Sequence, residues 1–255
     1  MPLILDKFNL KGKKALVTGS SRGLGAAIAV AFAQAGADVA VHGSSKAPEA
    51  TQQKVAAAGV KSAALVGDVG DAQVCAHLVE ETVQHLGGID ILVNNAGIIR
   101  RSPAAEHSEE FWKEVIDVNL SSVFRLTQHA GRHMLARGSG KIVNIASLLT
   151  FQGGITVPSY AAAKGGVGQL TKAFANEWAS KGINVNGIAP GYMDTDNTEA
   201  LRNNPERARQ ILERIPAGRW GNPEDLAGAA VFLASGASDY VHGHILIVDG
   251  GWMNR

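Results

Sequence analysis

The chain has 255 residues, of which 45% are hydrophobic and 18% are charged, a composition typical of a globular protein with a sizeable core. Its 24 Lys and Arg residues nearly balance its 23 Asp and Glu residues, which disfavours nucleic acid and anionic membranes as partners. A single cysteine, Cys75, excludes an internal disulfide and suits a reducing compartment.

The first residues carry no recognisable targeting signal. Residues 1–14 contain no charged region followed by an apolar run, and nowhere do eighteen apolar residues occur together. The sequence therefore predicts a cytoplasmic protein that does not cross a membrane.

A glycine-rich turn follows the first predicted strand. Residues 13–18 form a short apolar run, and residues 25–34 show apolar positions at helical spacing. Between them lie Gly19, Gly23 and Gly25, a spacing that differs from Gly-x-Gly-x-x-Gly. Backbone without side chains can approach a pyrophosphate closely, and a helix N-terminus offers free N–H groups to it. A plain strand-to-helix turn is the alternative interpretation.

Strands and helices then alternate along the whole chain. Several strands are continuously apolar, which is typical of a parallel sheet covered on both faces. Without a linker or an internal repeat, the pattern predicts one α/β domain over residues 1–255 with a seven-stranded parallel sheet. After residues 13–18, strands are predicted at 38–42, 62–66, 89–93, 141–145, 184–188 and 244–248, and helices at 48–58, 71–86, 109–135, 160–180 and 223–233.

The least regular long stretch follows the sixth strand, from residue 191 to residue 221, and contains a charged helical segment at 206–214. Ligands of open α/β sheets bind beyond the carboxyl ends of the strands. We therefore expect a substrate-covering lid at about residues 192–220. An insertion without a role is the alternative.

Polar residues collect where the predicted strands end: Asp68, Asn94 to Gly97, Ser147, and Pro190 with Gly191. Just beyond, Tyr160 and Lys164 are four residues apart in a predicted helix and project from one face. A neighbouring cation stabilises a phenolate and lowers the pKa of a tyrosine, so this pair could exchange a proton near neutral pH.

In their order and spacing, residues 18–25, Asn94 to Gly97, Asn119, Ser147, Tyr160, Lys164 and residues 190–191 resemble the short-chain dehydrogenase/reductase family. The resemblance implies a Rossmann-like, doubly wound fold and an NAD(P)-dependent oxidoreductase. It implies Tyr160 as the proton donor or acceptor, and Lys164 as the group that lowers its pKa and holds the nicotinamide ribose. Ser147 would bind the carbonyl oxygen, and Asn119 would anchor a proton-relaying water.

The resemblance also implies a set of dinucleotide-binding residues. Asp68 and Val69 would contact adenine, and the segment that includes Thr195 would hold the carboxamide. The full set is Gly19, Ser21, Arg22, Gly23, Leu24, Gly25, Ser44, Asp68, Val69, Asn95, Ala96, Gly97, Tyr160, Lys164, Pro190, Gly191 and Thr195.

The choice between NAD(H) and NADP(H) stays open. Members that prefer NAD usually carry an acidic residue at the end of the second strand, whereas Gly43 stands here. Arg22 and Lys46 could bind a 2′-phosphate, or could be ordinary solvated charges. The sugar-acid resemblance described next favours NAD(H), while nothing at Gly43 excludes NADP(H).

Segments outside the hydride-transfer motifs resemble the sugar-acid branch of the family, whose substrates are of the 2-dehydro-3-deoxygluconate or gluconate type. They are residues 151–160, 188–193, 214–221 and 249–252. A carboxylate substrate needs a fixed cation, for which Arg100, Arg101 and Arg219 are candidates, each with a solvent-exposed surface charge as the alternative. Gln152 could bind a sugar hydroxyl or simply cap a loop.

Two other functions remain possible at this level. A 3-oxoacyl-[acyl-carrier-protein] reductase would use the same motifs with NADPH and a basic docking patch. A non-catalytic dinucleotide-binding scaffold would not need Ser147, Asn119, Tyr160 and Lys164 together.

No metal site is expected, because His129 and His133 lack a third ligand. The partners expected are a small-molecule sugar acid and, by resemblance, three further copies of the chain in a homotetramer.

Overall fold

The computed structural model describes residues 3–255, which form one α/β domain; the first two residues of the predicted domain lie outside this range. A seven-stranded sheet forms its centre, with the order β3-β2-β1-β4-β5-β6-β7, and every neighbouring pair is parallel. The strands are β1 Lys14–Val17, β2 Asp38–Gly43, β3 Ser62–Val66, β4 Ile91–Asn94, β5 Gly140–Ile145, β6 Ile183–Pro190 and β7 Ile245–Val248. The seven-stranded parallel sheet predicted from the sequence is confirmed.

Helices cover both faces of this sheet. They are α1 Gly23–Gln34, α2 Glu49–Ala56, α3 Ala72–Leu86, α4 Glu109–Ile116, α5 Ser122–Arg137, α6 Pro158–Trp178, α7 Glu199–Arg202, α8 Pro205–Arg214 and α9 Ala227–Ala234. Val17 packs in one core cluster with Phe32 of α1, while the preceding Leu16 packs in another with Leu78 of α3. Successive strand side chains point to opposite faces, so a strand buried on both sides must be apolar throughout.

The strand order reverses between β1 and β4, since β2 and β3 lie on one side and β5 to β7 on the other. In a doubly wound sheet this reversal opens a crevice at the carboxyl ends of the strands, where ligands bind. The turns that follow β1 and β4 therefore border that crevice.

The long helix predicted at 109–135 is interrupted. A five-residue π-helical turn, Asp117–Ser121, separates α4 from α5 and carries the fully buried Asn119. Its side-chain amide pairs with the backbone of Ile98: Oδ1 accepts from the Ile98 N–H, and Nδ2 donates to the Ile98 carbonyl, both at 2.8 Å. Widened helical turns of this kind are frequent at functional sites. Here the turn fixes the chain that leaves β4.

The excursion after β6 contains α7 and α8, of which only α8 shows in the sequence pattern, because a four-residue helix has no periodicity to detect. Its base is closed by a bridge between Met193 and Gly221. Ile211 and Ile215 pack with Trp252 in a separate apolar cluster. The excursion is thus attached both at its base and to the C-terminal segment. None of the helices in residues 3–255 is long and apolar enough to cross a membrane.

Candidate active site

The glycine turn after β1 leads directly into α1. This helix begins at Gly23, and the side chain before it, Arg22, makes no capping hydrogen bond to the helix N–H groups. Gly23 has a φ of +55°, a conformation that favours glycine. A 12-residue helix whose first N–H groups receive no side-chain cap, behind a turn that contains Gly19 and Gly23, fits a pyrophosphate. The residues present therefore suit a dinucleotide at this position.

Side chains from β1 and β4 hold the glycine turn in place. Asn95 donates through Nδ2 to the carbonyls of Thr18 and Gly19 at 2.8 and 2.9 Å, and Thr18 Oγ1 accepts from the N–H groups of Asn95 and Ala96. A Cβ at Gly19 would lie 2.7 Å from the Cα of Ala96, so no side chain fits there. The structure thus places Asn95, a predicted cofactor-binding residue, as a tie between two strand ends.

His42 also holds this turn, and the sequence analysis did not single it out. It lies at the end of β2, is 1% exposed, and accepts a hydrogen bond at Nδ1 from the Gly19 N–H. The signal that could have revealed it is an ionisable side chain inside an otherwise apolar strand, since such a group needs partners when it is buried.

The expected adenosine side of the crevice lies beyond β2 and β3. Asp68 is exposed and accepts from the Gly70 N–H at 2.9 Å, while Val69 is buried. Ser44 is exposed directly after Gly43. A Cβ at Gly43 would collide with the carbonyl oxygen of Lys46. The folded-back turn therefore explains why no acidic side chain stands at position 43.

Ser147, Tyr160 and Lys164 meet beyond the end of β5. Ser147 follows that strand, whereas Tyr160 and Lys164 lie in the first two turns of α6, which begins at Pro158, two residues earlier than predicted. Proline suits the first turn of a helix because its missing N–H has no partner there in any case. The Lys164 Nζ lies 5.6 Å from the centroid of the Tyr160 ring and donates to the Ile145 carbonyl at 2.6 Å.

Burial changes the proton affinities of both groups. Burial lowers the pKa of Lys164 to about 8 and raises the pKa of the Tyr160 phenol. A hydrogen bond with Ser147 and the positive charge of Arg101 act in the opposite direction on the pKa of Tyr160. The ammonium of Lys164 donates to the Ile145 carbonyl, and the expectation that it lowers the pKa of Tyr160 stays a prediction. In this state the phenol is protonated at neutral pH.

The far end of the crevice is formed by the chain that leaves β6. Pro190 is buried, and Gly191 packs so closely that a Cβ would lie 2.6 Å from the Cα of Asp249. Thr195 reaches the glycine turn, since its Cγ2 would lie 3.6 Å from a Cβ at Gly23. Next to it, Asp196 forms an ion pair with Arg22 at 2.6 Å. The excursion after β6 therefore spans the crevice to the opposite wall.

The three candidate arginines have different environments. Arg100 donates from Nε and Nη2 to the carboxylate of Glu114 at 2.8 and 2.5 Å. Arg219 likewise donates from Nη1 and Nη2 to the carboxylate of Asp225, at 2.6 and 2.9 Å. Arg101 is exposed and has no ion-pair partner within residues 3–255, and its charge acts on Tyr160. Of the three, Arg101 alone is both uncommitted and near the reactive phenol.

Arg219 and Gln152 are engaged elsewhere. Arg219 borders a cavity of about 220 Å³ between the base of the excursion and the end of β7, and neither Ser147 nor Tyr160 lines it. The Gln152 Oε1 accepts from the indole N–H of Trp252 at 3.3 Å, which leaves its NH₂ group free for a ligand.

His133 bonds to Glu80, and residues 3–255 contain no cluster of three metal-ligating side chains.

A second set of hydrogen bonds joins the chain after β4 to the residues that precede Tyr160 at the start of α6. Ser102, directly after Arg101, donates its N–H to the carbonyl of Thr156 at 3.0 Å. Its hydroxyl bonds to Nδ1 of His107, whose Nε2 bonds to the hydroxyl of Ser159 at 2.9 Å. Neither His107 nor Ser102 shows a signal in the sequence. Together they fix the chain that carries Arg101 against the start of α6.

A glycine turn at the switch point of a parallel sheet and a Tyr-Lys pair beside a serine define an α/β dinucleotide-dependent oxidoreductase. Residues 19–253 match a family model described as enoyl-(acyl carrier protein) reductase. The chain belongs to the short-chain dehydrogenase/reductase family and is an NAD(P)-dependent enzyme.

Several known proteins are similar to this chain over its whole length. The 2-dehydro-3-deoxy-D-gluconate 5-dehydrogenase of Pseudoalteromonas atlantica is 56% identical over 99% of this chain and 100% of its own length. A crystal structure from Agrobacterium tumefaciens with bound NADP is 57% identical, with a TM-score of 0.93 over 98% of this chain and all of its own. A gluconate 5-dehydrogenase from Burkholderia cenocepacia, in complex with NADP and tartrate, is 41% identical, with a TM-score of 0.93 over 99% and 100%.

Proposed function

We propose that the protein transfers hydride between NAD(P) and a secondary alcohol or ketone of a sugar acid of the 2-dehydro-3-deoxygluconate or gluconate type. The names of the similar dehydrogenases and the tartrate in one related structure, itself a hydroxy acid, support this substrate class. The observation that carries the proposal is the exposed guanidinium of Arg101, which has no ion-pair partner within residues 3–255 and whose positive charge acts on the pKa of Tyr160.

Arg101 is suited to bind the carboxylate. A guanidinium holds a carboxylate through two parallel charge-assisted hydrogen bonds, provided that no protein carboxylate already occupies it. Glu114 and Asp225 occupy the other two candidates, Arg100 and Arg219. A sugar acid with its reacting oxygen at Tyr160 then has its carboxylate directed toward Arg101.

The proposed reaction moves one hydride and one proton. A dinucleotide held at the glycine turn would supply the hydride acceptor for oxidation and the hydride donor for reduction. Tyr160 takes the hydroxyl proton of the alcohol in oxidation and returns a proton to the ketone oxygen in reduction. Ser147 donates a hydrogen bond to that oxygen as negative charge develops on it.

The other two members of the catalytic set support Tyr160. Lys164, when charged, stabilises the phenolate form of Tyr160 and holds the nicotinamide ribose. The side-chain amide of Asn119 bonds to the Ile98 backbone through both Oδ1 and Nδ2, so this residue positions the chain after β4, and it is proposed to anchor a relay water as well.

The dinucleotide is proposed to lie along the glycine turn, between Asp68 and Thr195, with the remaining predicted contact residues around it. Arg22 and Lys46 are the groups offered to a 2′-phosphate. Residues 192–220 act as the lid over this crevice, with support from the ion pair between Asp196 and Arg22. Protection of this segment from protease by cofactor and substrate together tests the lid.

A 3-oxoacyl-[acyl-carrier-protein] reductase is the competing enzyme; the description of the matching family model names another acyl-carrier-protein reductase, one that acts on an enoyl substrate. It requires a basic surface for an acidic carrier protein, yet Arg100 and Arg219 are neutralised by internal carboxylates. A steady-state screen of keto and hydroxy sugar acids and a 3-oxoacyl thioester, each with NAD(H) and NADP(H), tests the proposal. Turnover of the thioester alone contradicts it, and no turnover of any substrate favours the scaffold.

We propose that the protein works as a homotetramer in the cytoplasm. Phe111, Trp112 and Phe124 of α4 and α5 are each 36% to 42% exposed, which is costly for an isolated chain and suits contact with another copy. Light scattering coupled to size-exclusion chromatography measures the number of copies in the assembly.

Burial raises the pKa of the Cys75 thiol to about 11, so Cys75 stays a thiol at neutral pH and is not expected to act as a redox group.

A further inference from the structure

The ring of His42 joins two turns at the carboxyl edge of the sheet. Its Nδ1 accepts from the Gly19 N–H at 3.0 Å, and its Nε2 lies 2.8 Å from the carbonyl oxygen of Gly67. An amide N–H can only donate and a carbonyl oxygen can only accept. The ring is therefore neutral, with its proton on Nε2, and both nitrogens are satisfied in a side chain that is 1% exposed.

The backbone of His42 strengthens the same connection. The Ser20 N–H donates to the His42 carbonyl at 2.9 Å, and the His42 N–H donates to the Ser20 Oγ at 2.8 Å. Ser20 is fully buried as well. Three hydrogen bonds thus hold the glycine turn to His42, and a fourth holds His42 to the turn after β3.

The two turns joined by this ring lead into the two halves of the proposed dinucleotide site. Gly19 opens the segment that would face the pyrophosphate, and Gly67 directly precedes Asp68 and Val69, which would face adenine. The orientation of the Gly19 peptide determines where the following N–H groups point. A rigid link between the turns therefore sets the distance between the phosphate and adenine subsites.

We propose that His42 is a positioning residue for the dinucleotide: its neutral ring fixes the Gly19 peptide relative to the Gly67 turn, and protonation of Nδ1 breaks this link and weakens cofactor binding. The inference rests on the proposed placement of the dinucleotide at the glycine turn.

The electrostatic surroundings keep the ring neutral at physiological pH. Burial lowers the pKa of His42, while the bond to the Gly67 carbonyl and the negative charge of Asp68 oppose this shift. Asp68 is the charged group that acts on the ring from the turn after β3. From the glycine turn, Arg22 is directed to Asp196, and Lys46 lies exposed beyond β2. Because the lowering dominates, the ring becomes charged only in acid.

Protonation would place two N–H donors against each other. The Gly19 N–H and a protonated Nδ1 would stand 3.0 Å apart with no acceptor between them. A buried donor without a partner is costly, so either the ring rotates or the Gly19 peptide turns away. Each outcome displaces the glycine turn from the arrangement that suits a pyrophosphate.

Three substitutions distinguish the effects of the two hydrogen bonds that the His42 ring makes. His42→Asn keeps an acceptor near the position of Nδ1, cannot be protonated, and is too short for the Gly67 carbonyl. His42→Gln reaches the position of Nε2 and keeps the bond to Gly67, but loses the acceptor for Gly19. His42→Leu removes both bonds at similar volume. His77→Asn, on the exposed face of α3, is the matched histidine control.

The affinity of the full-length protein for NADPH is measured by fluorescence titration across a pH series, with melting temperatures to confirm folding. At neutral pH we expect the Kd to rise about tenfold in His42→Leu, which breaks both bonds, and by a smaller factor in His42→Gln and His42→Asn, which each break one. In the wild type and in His77→Asn, binding weakens only at a pH below the usual titration range of histidine, because burial lowers the pKa of His42, whereas in His42→Asn it does not weaken. With saturating cofactor, kcat stays close to that of the wild type in every variant that folds.

Two results overturn the inference. One is a Kd in His42→Leu and His42→Gln equal to that of the wild type, and the other is an acid loss of affinity that persists in His42→Asn. Gly25→Ala separates this failure from failure of the site itself, because a Cβ there would collide with Asn95 and the Gly19 carbonyl. If Gly25→Ala weakens NADPH binding while the His42 variants do not, only the role of His42 is refuted. If neither Gly25→Ala nor the His42 variants weaken binding, the glycine-turn site itself is refuted.

Discussion

The ammonium of Lys164 donates a hydrogen bond to the carbonyl oxygen of Ile145 at 2.6 Å, and 95% of the side chain is withdrawn from solvent. One carbonyl is a poor substitute for the hydration of a cation, and burial consequently lowers the pKa of Lys164 to about 8. This hydrogen bond holds the Lys164 ammonium at Ile145, the last residue of β5, two residues before Ser147. The proposed active site thus contains a charge that is unfavourable for folding.

This charge predicts that Lys164→Met stabilises the protein while removing its activity. The pKa of Lys164 falls from 10.5 in the unfolded chain to about 8 in the folded one. The resulting cost to folding is absent above pH 10.5, grows as the pH falls toward 8, and is constant at about 3 kcal/mol below that. Losing the bond to Ile145 offsets part of the gain, so we expect a melting temperature roughly 3–6 °C higher at pH 7.

The matched control for this prediction is Lys172→Met, on the same helix but exposed to solvent. Its melting temperature should change little. A Lys164→Met variant that melts below the wild type at pH 7 contradicts the prediction, because the ammonium would then stabilise the fold.

Tyr160→Phe should abolish turnover and leave cofactor binding intact. The substitution removes the one oxygen that exchanges a proton with the substrate and preserves the ring that packs near Lys164. We expect kcat to fall by about 10²–10⁴-fold, with a Kd for NADPH within about threefold of the wild type. Steady-state kinetics and fluorescence titration give the two values, and unchanged turnover contradicts the role of Tyr160.

Alcohol oxidation should depend on pH near neutrality more strongly than ketone reduction does. Because burial raises the pKa of Tyr160, the phenol is protonated at neutral pH and ready to donate in ketone reduction. Alcohol oxidation needs the phenolate, so its kcat/KM should increase with pH. The increase should level off above about pH 8, where Lys164 loses its proton and no longer supports the phenolate. An oxidation rate independent of pH below 8 would show that another group accepts the proton.

Cofactor choice is predicted to depend on Arg22 and Lys46 rather than on an acidic residue. Position 43 has no space for a side chain, so nothing there repels a 2′-phosphate. Lys46→Ala should weaken NADPH binding by about threefold to tenfold and leave NADH binding unchanged, and Arg22→Ala should do the same to a smaller extent because Asp196 already binds its guanidinium. The exposed Lys54→Ala on α2 is the control. Equal losses for both nucleotides argue against a phosphate contact.

The fold could be predicted because its signals are local. Continuous apolar runs report strands buried on both faces, and the four-residue interval between Tyr160 and Lys164 reports one helix face. The π-helical turn at Asn119 could not be predicted, because one extra residue in a turn leaves the apolar spacing on either side almost unchanged.

The partners of the charged side chains were not predictable. Arg100 and Arg101 are adjacent and chemically identical, yet Arg100 pairs with Glu114, fourteen residues further along, while Arg101 remains uncommitted. Which arginine faces the site depends on the path of the loop after β4. The bonds of His42 cross to other strand ends at Gly19 and Gly67, which a pattern along one strand cannot show.

The substrate proposal predicts a selective loss in Arg101→Ala. Removing a guanidinium that holds a carboxylate should raise the KM for a sugar acid by about tenfold or more, with little effect on an uncharged analogue such as the matching sugar alcohol. Arg100→Ala and Arg219→Ala serve as matched controls, because their guanidinium groups already bind Glu114 and Asp225. They should change the KM for the acid by less than about threefold. Arg101→Lys should recover only part of the affinity, since an ammonium cannot form the two parallel bonds. If Arg101→Ala affects the acid and the uncharged analogue equally, its charge serves Tyr160 alone and the carboxylate is held elsewhere.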